Sequence, residues 1–401
     1  MRGCIVRPRG RRKSWGVKVY LGRNPQTGVK VYKWFSFPTR REAEARLSQM
    51  LAQLHGGGTI PTTKLTVAEY LEDWLQKYAT SNVRETSLKS YRDIVRQHLT
   101  PTLGLILLRR LSPLDVQGYY TSKLNGEATA GQQVLSPSTV RKHHAVLHVA
   151  LENAVQWGLL AANVCDRVKP PTRRRKEPQR WDEEQVRLFL AEAKRSSPYY
   201  RLYLAMRTTG ARPGELLGLR WQDVDLATGA ITIRQKFYRL GGSKRDGEPT
   251  RLLFSEPKTD KGRRTIDIPP ILVEELRQLK AEQDPLRKEF GSQYHDLGEH
   301  GPLVFCQADG RPLNWENVAR RDFRQVIKHA RLPVIKPYEF GRHGHAAWLY
   351  EQGVHPKIIS ERLGHSSTAF TMDTYGGMAR GLQAEVVAKL QAWLSEDKVS
   401  Q

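Results

Sequence analysis

Two short stretches rich in proline, glycine and charge divide the chain into three parts with different hydrophobic patterns. "GGGTIPTTK" (56–64) has the composition of a flexible linker. "KPPTRRRKEPQR" (169–180) is strongly basic, and its prolines keep the backbone extended. With 401 residues, the chain is long enough for two or three domains. We therefore predict domains at residues 1–58, 64–168 and 181–401, with residues 169–180 as a basic linker.

Residues 1–58 have the pattern of a small β-sheet followed by a helix. "SWGVKVYLG" and "VKVYKWFSF" are β-rich runs separated by the turn-rich "RNPQTG", and a helical run with Thr39 as its N-cap follows. A basic sheet that also carries Trp and Tyr can enter the major groove of DNA. The alternative is a basic tail fused to an ordinary β-hairpin. The candidate DNA-binding side chains of this part are Arg7, Arg9, Arg11, Arg12, Lys13 and Lys18.

The two remaining parts differ in their secondary-structure patterns. Residues 64–168 are predicted to be all-helical, because apolar residues recur at spacings of three and four. His143, His144 and His148 lie on the last of these helices without an acidic or cysteine neighbour in the sequence, so we expect solvated or DNA-facing histidines and no metal site. Residues 181–401 combine helical runs with the short strands "AITIRQKFYRL" and "RRTIDIPP", which predicts a mixed, mainly helical domain with a small sheet.

The net charge is the strongest compositional signal. It is +24, with a pI near 10.0, and a surplus of this size favours a polyanionic partner; a basic ribosomal or membrane-surface protein is the alternative. No apolar run reaches about 18 residues and no leader opens the chain, so we expect neither a membrane span nor secretion. Three cysteines far apart suit a reducing cytoplasm and form neither a disulfide framework nor a zinc motif.

Candidate catalytic side chains are concentrated in the third part. In "TTGARPGELLGLRW", Pro213 fixes a helix start at Arg212, and Glu215 lies on the same side, where it could hold the guanidinium as a bidentate pair. A purely structural ion pair is the alternative. "SEPKTDKGRRTIDIPP" is interpreted as a β-hairpin with Lys258 near its tip. A lysine there is usually only solvated.

Three further candidates follow towards the C-terminus. "YEFGRHGHAAWLYEQGVHPKIISERLGHSS" supplies Arg342 and predicts two helices, the second ending at Gly364 with His365 directly after it. Tyr375 lies in the small-residue segment "STAFTMDTYGGM". Neither a metal-binding HExxH motif nor a P-loop, GxGxxG or GxSxG motif occurs, so we expect neither a metal nor a cofactor.

These residue types together suit metal-free phosphoryl transfer. Guanidinium groups match the non-bridging oxygens of a phosphodiester. A tyrosine nucleophile has a pKa of about 10 and is activated by nearby positive charge, which also stabilises the transition state. Lys258 is the candidate donor of a proton to the leaving 5′-oxygen. Because a phosphotyrosyl ester replaces the diester, the bond energy is retained and no ATP is required.

Four of these segments resemble the tyrosine recombinase (phage integrase) family, in the family's order. They are "TGARPGELLGLRW", "PKTDKGRRTIDIP", "GRHGHAA" and "ERLGHSSTAFTMDTYGGM". The resemblance implies that the third part is the catalytic domain and that residues 65–165 are the helical, SAM-like core-site-binding domain. Residues 1–55 resemble the small three-stranded arm-site-binding domain of integrases from temperate phages and conjugative transposons.

The resemblance also implies roles for single residues. Arg212 and Arg342 would clamp the scissile phosphate, and Lys258 would protonate the leaving oxygen. His365 would hydrogen-bond the phosphate, and Tyr375 would be the nucleophile that forms a 3′-phosphotyrosyl bond. Glu215 would brace Arg212.

One position departs from the family pattern. Three residues before Arg342 the family usually has a histidine that assists in acid–base chemistry, and here this position is Glu339. Its carboxylate would add negative charge beside the transition state, which predicts a slower enzyme, an altered acid–base scheme, or a role taken by Tyr338 or His343. Gly341, where leucine is usual, is expected to loosen the local packing.

The resemblance further implies partners and rival functions. We expect double-stranded DNA with core and arm sites, Arg173, Arg174 and Arg175 passing along the duplex, a homotetramer on DNA, and accessory DNA-bending or excisionase proteins in the cytoplasm, at the nucleoid. The C-terminal run "RGLQAEVVAKLQAWLSEDK" would dock as a helix on a neighbouring subunit or pack on its own domain. The rivals are a catalytically impaired DNA-binding relative, a housekeeping chromosome-resolving recombinase and a type IB topoisomerase relative.

Overall fold

The computed structural model describes most of the chain. The described residues are 3–7, 14–23, 30–55, 65–126, 134–172, 179–241, 249–257, 262–365, 367–369, 372, 387 and 390–392. Their contacts divide the chain into two compact units, Met1–Arg175 and Lys176–Gln401. The division falls inside the basic stretch 169–180.

The N-terminal residues form an antiparallel sheet covered on one face by a helix. The sheet has the order β1-β2-β3, and the helix α1 follows it. Val17 and Val19 on β2 are fully buried against Ala43 of α1, because alternate residues of a strand point to the same face. The elements are β1 (Gly3–Val6), β2 (Trp15–Arg23), β3 (Lys30–Phe37) and α1 (Arg40–His55). The predicted sheet-plus-helix architecture is confirmed.

The outer face of this sheet is aromatic and basic. Lys18 faces Trp34 across the β2–β3 pair, and Tyr20 faces Tyr32. The Lys18 Nζ lies 4.2 Å from the centroid of the Tyr32 ring and 5.4 Å from that of Trp34. Tyr32 and Trp34 are 44% and 56% exposed, so this outer face presents a cation between two aromatic rings to solvent.

The next segment is all-helical, as predicted. Thr66 caps the helix that begins at Val67, and Ser112 caps the helix that begins at Pro113, each in a reciprocal pair with an acidic residue three positions further on. The helices are α2 (Val67–Trp74), α3 (Thr80–Asn82), α4 (Glu85–Ile94), α5 (Thr100–Leu103), α6 (Pro113–Asn125) and α7 (Pro137–Gln156), with π-helical turns at Leu75–Ala79 and Val95–Leu99 and 3-10 turns at Leu108–Arg110 and Val164–Arg167.

The histidines of α7 are not all solvated. His143 is 1% exposed, and its Nδ1 lies 2.7 Å from the hydroxyl oxygen of Tyr119. Burial, assisted by His98 and Lys123, lowers the pKa of His143 to about 4, so its ring is neutral at pH 7. It occupies the buried stripe of α7, and the expectation of a solvated or DNA-facing ring is wrong for this residue. His148 does have an acidic partner, Asp166, at 2.8 Å.

The second unit is mixed and mainly helical, as predicted. Its core is an aromatic cluster in which Phe189 contacts Trp181, Phe323 and Phe340, with ring centroids 4.7 to 5.1 Å apart. The helices are α8 (Glu183–Ser196), α9 (Tyr200–Thr209), α10 (Pro213–Leu217), α11 (Pro270–Phe290), α12 (Trp315–Asn317), α13 (Phe323–His329), α14 (Gly344–Glu351) and α15 (Pro356–Leu363). Shorter turns are π-helical at Val318–Asp322 and Glu339–His343 and 3-10 at Trp221–Asp223, Gly291–Gln293 and Gly298–His300.

The strands of this unit form two small antiparallel sheets. One has the order β4-β5-β8 and the other pairs β6 with β7. The strands are β4 (Val224–Asp225), β5 (Ala230–Ile233), β6 (Lys236–Leu240), β7 (Arg251–Ser255) and β8 (Arg264–Asp267). Across the residues described here, no helix is both long and apolar enough to cross a membrane.

The predicted hairpin around Lys258 is wrong in its strand pairing. β7 and β8 flank this residue, but β7 pairs with β6 while β8 pairs with β5. The segment that carries Lys258 therefore connects two different sheets. Ile231 lies opposite Ile266 in the β5–β8 pair, and both are buried in the core, so burial of apolar side chains favours this pairing over a local hairpin.

Candidate active site

The first candidate residue lies at a tight corner between two helices. Helix α9 ends at Gly210, whose φ of 63° is left-handed, and Arg212 is the extended residue that precedes Pro213 at the start of α10. A Cβ at Gly210 would lie 2.6 Å from the His345 ring, so only glycine fits. The backbone of Arg212 is therefore fixed on both sides.

Glu215 holds Arg212 in a way that the sequence did not predict. Its Oε1 accepts a hydrogen bond from Arg212 Nη1 at 2.7 Å, while its Oε2 accepts one from the Arg212 backbone N–H at 2.9 Å. The predicted bidentate pair with the guanidinium is replaced by one bond to the side chain and one to the backbone. Burial alone would raise the pKa of Glu215, but the guanidinium groups of Arg264 and Arg212 hold it down at about 2.

Arg342 is buried at the centre of the same region. It lies in the π-helical turn Glu339–His343 that leads into α14, and it is 2% exposed. Its Nη1 donates to the carbonyl of Gly210 at 3.1 Å and its Nη2 to that of Leu363 at 2.9 Å. Burial and the nearby charge of Arg212 lower the pKa of Arg342 to about 10, which leaves it protonated at pH 7.

His365 follows the C-terminus of α15, as predicted. The helix ends at Gly364, whose φ of 65° is left-handed, and His365 is 7% exposed. Burial, followed by the charges of Arg342 and Arg212, lowers its pKa to about 4. The ring is thus a neutral imidazole beside two guanidinium groups at pH 7. A neutral imidazole has one N–H to donate and one nitrogen that accepts a proton.

Arg264, which the sequence motifs did not indicate as a site residue, also belongs to this cluster. Its side chain is 6% exposed, and its Nη2 donates to Glu215 Oε2 at 2.8 Å. A signal was present in the sequence. Arg264 lies two residues before the buried Ile266 in β8, so both side chains point to the same, inward face of the strand. A charged residue at such a position is unusual in an amphipathic strand.

The carboxylate of Glu339 caps the N-terminus of its own helical segment. Its Oε2 accepts a hydrogen bond from the backbone N–H of Lys336 at 2.8 Å, which is the carboxylate half of a capping box. Tyr338 packs edge-on against His343, with ring centroids 4.9 Å apart. The carboxylate at this position therefore already has a structural function.

Gly341 does not loosen the packing, so that expectation is wrong. A Cβ there would lie 3.2 Å from Met206 Cβ and 3.3 Å from the Met206 carbonyl oxygen. The glycine lets the π-helical turn approach α9 closely. Close approach is what allows Arg342 to reach the carbonyl of Gly210 at the end of α9.

Replacement of Glu339 by glutamine is expected to change DNA cleavage less than about threefold, because an amide oxygen can still accept the capping bond. Glu339→Ala removes the acceptor and should lower the free energy of unfolding by about 1 kcal/mol. Cleavage rates of both variants at saturating DNA, with urea denaturation, check this. A cleavage defect beyond tenfold in the glutamine variant would instead give the carboxylate a part in the chemistry.

Several predicted site residues lie outside the described residues. They are Lys258, Tyr375, Arg9, Arg11, Arg12, Lys13, Arg173, Arg174 and Arg175, together with most of the C-terminal run. Arg7 is described and exposed, and Lys18 lies on the outer sheet face. No cluster of three or more His, Cys, Asp or Glu side chains that could hold a metal ion occurs within the described ranges.

The geometry brings two guanidinium groups and a neutral imidazole together in one cluster. Arg212, with 41% of its side chain exposed, can present its remaining N–H groups to a ligand, next to Arg342 and a neutral imidazole. Paired guanidinium groups of this kind match the oxygens of a phosphodiester.

Comparison with known proteins agrees with this class of site. The sequence pattern of the "Phage integrase family" matches residues 179–379, and that of the "Phage integrase, N-terminal SAM-like domain" matches residues 66–124. An integrase of Streptomyces ambofaciens is 31% identical over 372 residues, which cover 91% of this chain and 89% of that protein. The chain therefore belongs to the phage integrase family, and it is a site-specific tyrosine recombinase.

Solved structures share the fold. The Tn1549 transposon integrase (aa 82–397), in complex with circular intermediate DNA, superposes with a TM-score of 0.63 at 20% identity, covering 80% of this chain and 100% of that one. A lambda integrase tetramer bound to a Holliday junction gives a TM-score of 0.53 at 17% identity, covering 91% of this chain and 93% of that one. The predicted multidomain tyrosine recombinase fold is confirmed.

Proposed function

We propose that this recombinase integrates and excises a mobile element or prophage by cutting and rejoining double-stranded DNA through Tyr375. The observation that carries the proposal is the convergence of Arg212, Arg342 and His365 in one cluster, in which the buried carboxylate of Glu215 holds Arg212. Two fixed guanidinium groups match the non-bridging oxygens of a phosphodiester, and a neutral imidazole can donate one further N–H to the same phosphate.

Each residue has a defined part in the cleavage step. Tyr375 releases its phenolic proton to water, and the phenolate oxygen forms a bond to phosphorus while the bond from phosphorus to the 5′-oxygen breaks. Arg212 and Arg342 bind the non-bridging oxygens, and His365 donates its one N–H to the phosphate. Lys258 gives a proton to the leaving 5′-oxygen. The reverse reaction with another strand's 5′-hydroxyl rejoins the DNA, because the phosphotyrosyl ester retains the bond energy.

A suicide substrate nicked near the crossover point tests the proposal directly. The substrate is the protein's own attachment site, found as direct repeats that flank the gene. The short 5′ fragment diffuses away after cleavage, so DNA should accumulate covalently on the wild-type chain. A catalytically impaired DNA-binding relative would bind this site without leaving any adduct, and that outcome would refute the enzymatic role of the site.

The partners are proposed from the architecture of the family. The helical segment 64–168 would bind the core site, the linker 169–180 would run along the duplex, and residues 181–401 would cut. The lambda integrase relative is a tetramer on a Holliday junction. Four copies of this chain, with DNA-bending or excisionase proteins, would act in the same way on DNA in the cytoplasm.

The outer face of the N-terminal sheet is the proposed arm-site surface. Lys18, Tyr32 and Trp34 lie side by side on it, opposite the face that packs on α1. A two- or three-stranded sheet fits the major groove, and the lysine between two rings is held for contact with a phosphate or base edge.

Lys18→Ala is expected to reduce the slope of log affinity for arm-site DNA against log salt by about 0.9, because one phosphate contact is lost. Cleavage of core-site DNA should be unchanged. Arg41→Ala, which removes the same charge from an exposed position on α1, is the matched control. Titration of labelled arm DNA at several salt concentrations measures both slopes, and equal losses in the two variants would contradict the assignment of this face.

Removal of residues 1–60 separates the two modes of DNA binding. The truncated chain should still cleave the core site but fail to complete integration, because it cannot hold the arm sites. A housekeeping chromosome-resolving recombinase does not depend on such sites. Recombination by the truncated chain at the wild-type rate would therefore favour that alternative.

A further inference from the structure

Arg264 contacts three separate segments of the catalytic unit at once. Its Nη2 donates to Glu215 at 2.8 Å, its Nε to the carbonyl of Arg362 at 2.7 Å, and its Nη1 to the carbonyl of Gly262 at 3.2 Å. These partners lie on α10, at the end of α15 and just before β8. The side chain is 6% exposed, so it is surrounded by protein on these sides.

On the first side, Arg264 shares a single oxygen with Arg212. Glu215 Oε2 accepts from both the Arg264 guanidinium and the Arg212 backbone N–H, while Oε1 accepts from Arg212 Nη1. The carboxylate is 5% exposed and cannot exchange a lost partner for bulk water at low cost. Without Arg264 the carboxylate would turn towards its remaining partners, and Arg212 would turn with it.

On the second side, Arg264 holds the peptide that leads to His365. It caps the carbonyl of Arg362, and Arg342 caps the next carbonyl, that of Leu363. These carbonyls at the C-terminus of α15 have no partner within the helix. Two guanidinium groups therefore fix the chain direction immediately before the imidazole.

The link between β8 and α15 is reciprocal. Arg264 at the start of β8 donates to the carbonyl of Arg362, and the Arg362 side chain donates to the carbonyl of Asp267 at the end of β8, at 2.9 Å. Arg362 also donates to His345 Nε2 at 3.1 Å. Because each element donates an arginine hydrogen bond to a carbonyl of the other, β8 and the end of α15 are held together rigidly.

We propose that Arg264 is a positioning residue that holds Arg212 and His365 in the correct relative orientation for binding the scissile phosphate. The inference rests on the proposed function, since it assigns these two groups to phosphate binding. Each of the three nitrogens of the Arg264 guanidinium donates within the protein, to Glu215 and to two backbone carbonyls, which suits a positioning role. A displacement of about 1 Å in a phosphate-binding group costs on the order of 10²-fold in rate.

The Arg264→Lys variant tests the proposal, with Arg263→Lys as the matched control. Lysine keeps the charge but cannot contact three partners in a plane. Arg263 is adjacent, half-exposed and paired only with the exposed Glu256 among the partners that the structure describes. At saturating suicide substrate, Arg264→Lys should form the covalent adduct about 10²-fold more slowly, and Arg263→Lys within twofold of wild type. An equal rate for Arg264→Lys and wild type would overturn the inference alone, whereas no adduct from wild type would overturn the proposed function as well.

A sulfur-substituted substrate tests whether Arg264 acts through the leaving group. A 5′-bridging phosphorothiolate releases a thiolate, whose conjugate acid has a pKa of about 8.5, so no proton donor is needed. Lys258→Ala should be rescued by this substrate, and Arg264→Lys should stay slow. Rescue of Arg264→Lys would show that it acts on the leaving group and would overturn the proposal.

A double-mutant cycle tests whether Arg264 acts through its hydrogen bond to Glu215. Glu215→Gln preserves side-chain size and, if Arg264 acts through Glu215, the double variant should cleave no more slowly than the slower single variant. Multiplied defects would mean independent action and would overturn the proposed route. A melting temperature is recorded for each variant, and loss of stability with an unchanged adduct rate would mean that Arg264 only supports the fold.

Discussion

Tyr375→Phe is expected to abolish covalent attachment of DNA to the chain. Phenylalanine lacks the oxygen that forms the bond to phosphorus, so no slower version of the same step remains. Denaturing gel electrophoresis after incubation with the suicide substrate measures the adduct. DNA affinity should stay within twofold of wild type, because the phosphate-binding groups are unchanged.

Two other tyrosines provide controls for this result. Tyr350→Phe removes the same hydroxyl from a half-buried ring that packs near Ala346 and Ile359, and it should cleave normally. Tyr338 is 37% exposed and packs against His343, which directly follows Arg342. It is therefore an alternative candidate for the nucleophile. An adduct that survives in Tyr375→Phe but disappears in Tyr338→Phe would transfer the reaction to Tyr338.

Arg342→Lys should slow cleavage by about 10²–10³-fold, the usual cost of removing one preorganised donor from a transition-state site. The guanidinium is held by the carbonyls of Gly210 and Leu363 at 3.1 and 2.9 Å, which leaves its orientation fixed before DNA binds. A lysine ammonium keeps the charge but cannot make both of these bonds while also presenting a donor to the phosphate.

The measurement is the single-turnover rate of adduct formation at saturating DNA. Arg320→Lys, an exposed position on the π-helical turn Val318–Asp322, is the control with the same chemical change and should stay at the wild-type rate. A reduced affinity with an unchanged rate in Arg342→Lys would place this arginine in DNA binding and not in the chemical step.

Local sequence chemistry predicted the elements that carry the site. Pro213 after Arg212 marks a helix start. The first N–H groups of a helix have no partner within the helix, so proline, which has no N–H, is well tolerated there. Gly364 before His365 marks a helix end, because glycine accepts the left-handed conformation seen there. Each signal acts over a few residues, which is why it can be interpreted without knowledge of the fold.

Contacts between distant residues could not be predicted in this way. Arg264 meets Glu215 across 49 positions and the carbonyl of Arg362 across 98. His143 was expected to be solvated and is buried against Tyr119 on another helix. In both cases a polar side chain is buried because a partner from elsewhere in the chain satisfies its hydrogen bonds, and no local pattern specifies that partner.

The pairing of β8 and the hydrogen bond of Glu339 also could not be predicted from local sequence. The sequence indicated a strand at β8 but suggested a local hairpin, whereas burial of Ile231 with Ile266 pairs β8 with β5. Glu339 was identified as a departure from the family pattern, and only the structure shows its carboxylate on the backbone of Lys336.

By itself, the sequence determined that a sheet-plus-helix part, an all-helical part and a mixed part follow one another, where the helices next to Arg212 and His365 begin and end, and the family to which the chain belongs. These depend on short-range backbone preferences and on motifs in a fixed order. Only the tertiary structure decided that Glu215 binds two arginines and that Arg264 contacts both Glu215 and the carbonyl of Arg362. Such shared contacts arise because a buried charge must find its partners in three dimensions, wherever they lie in the chain.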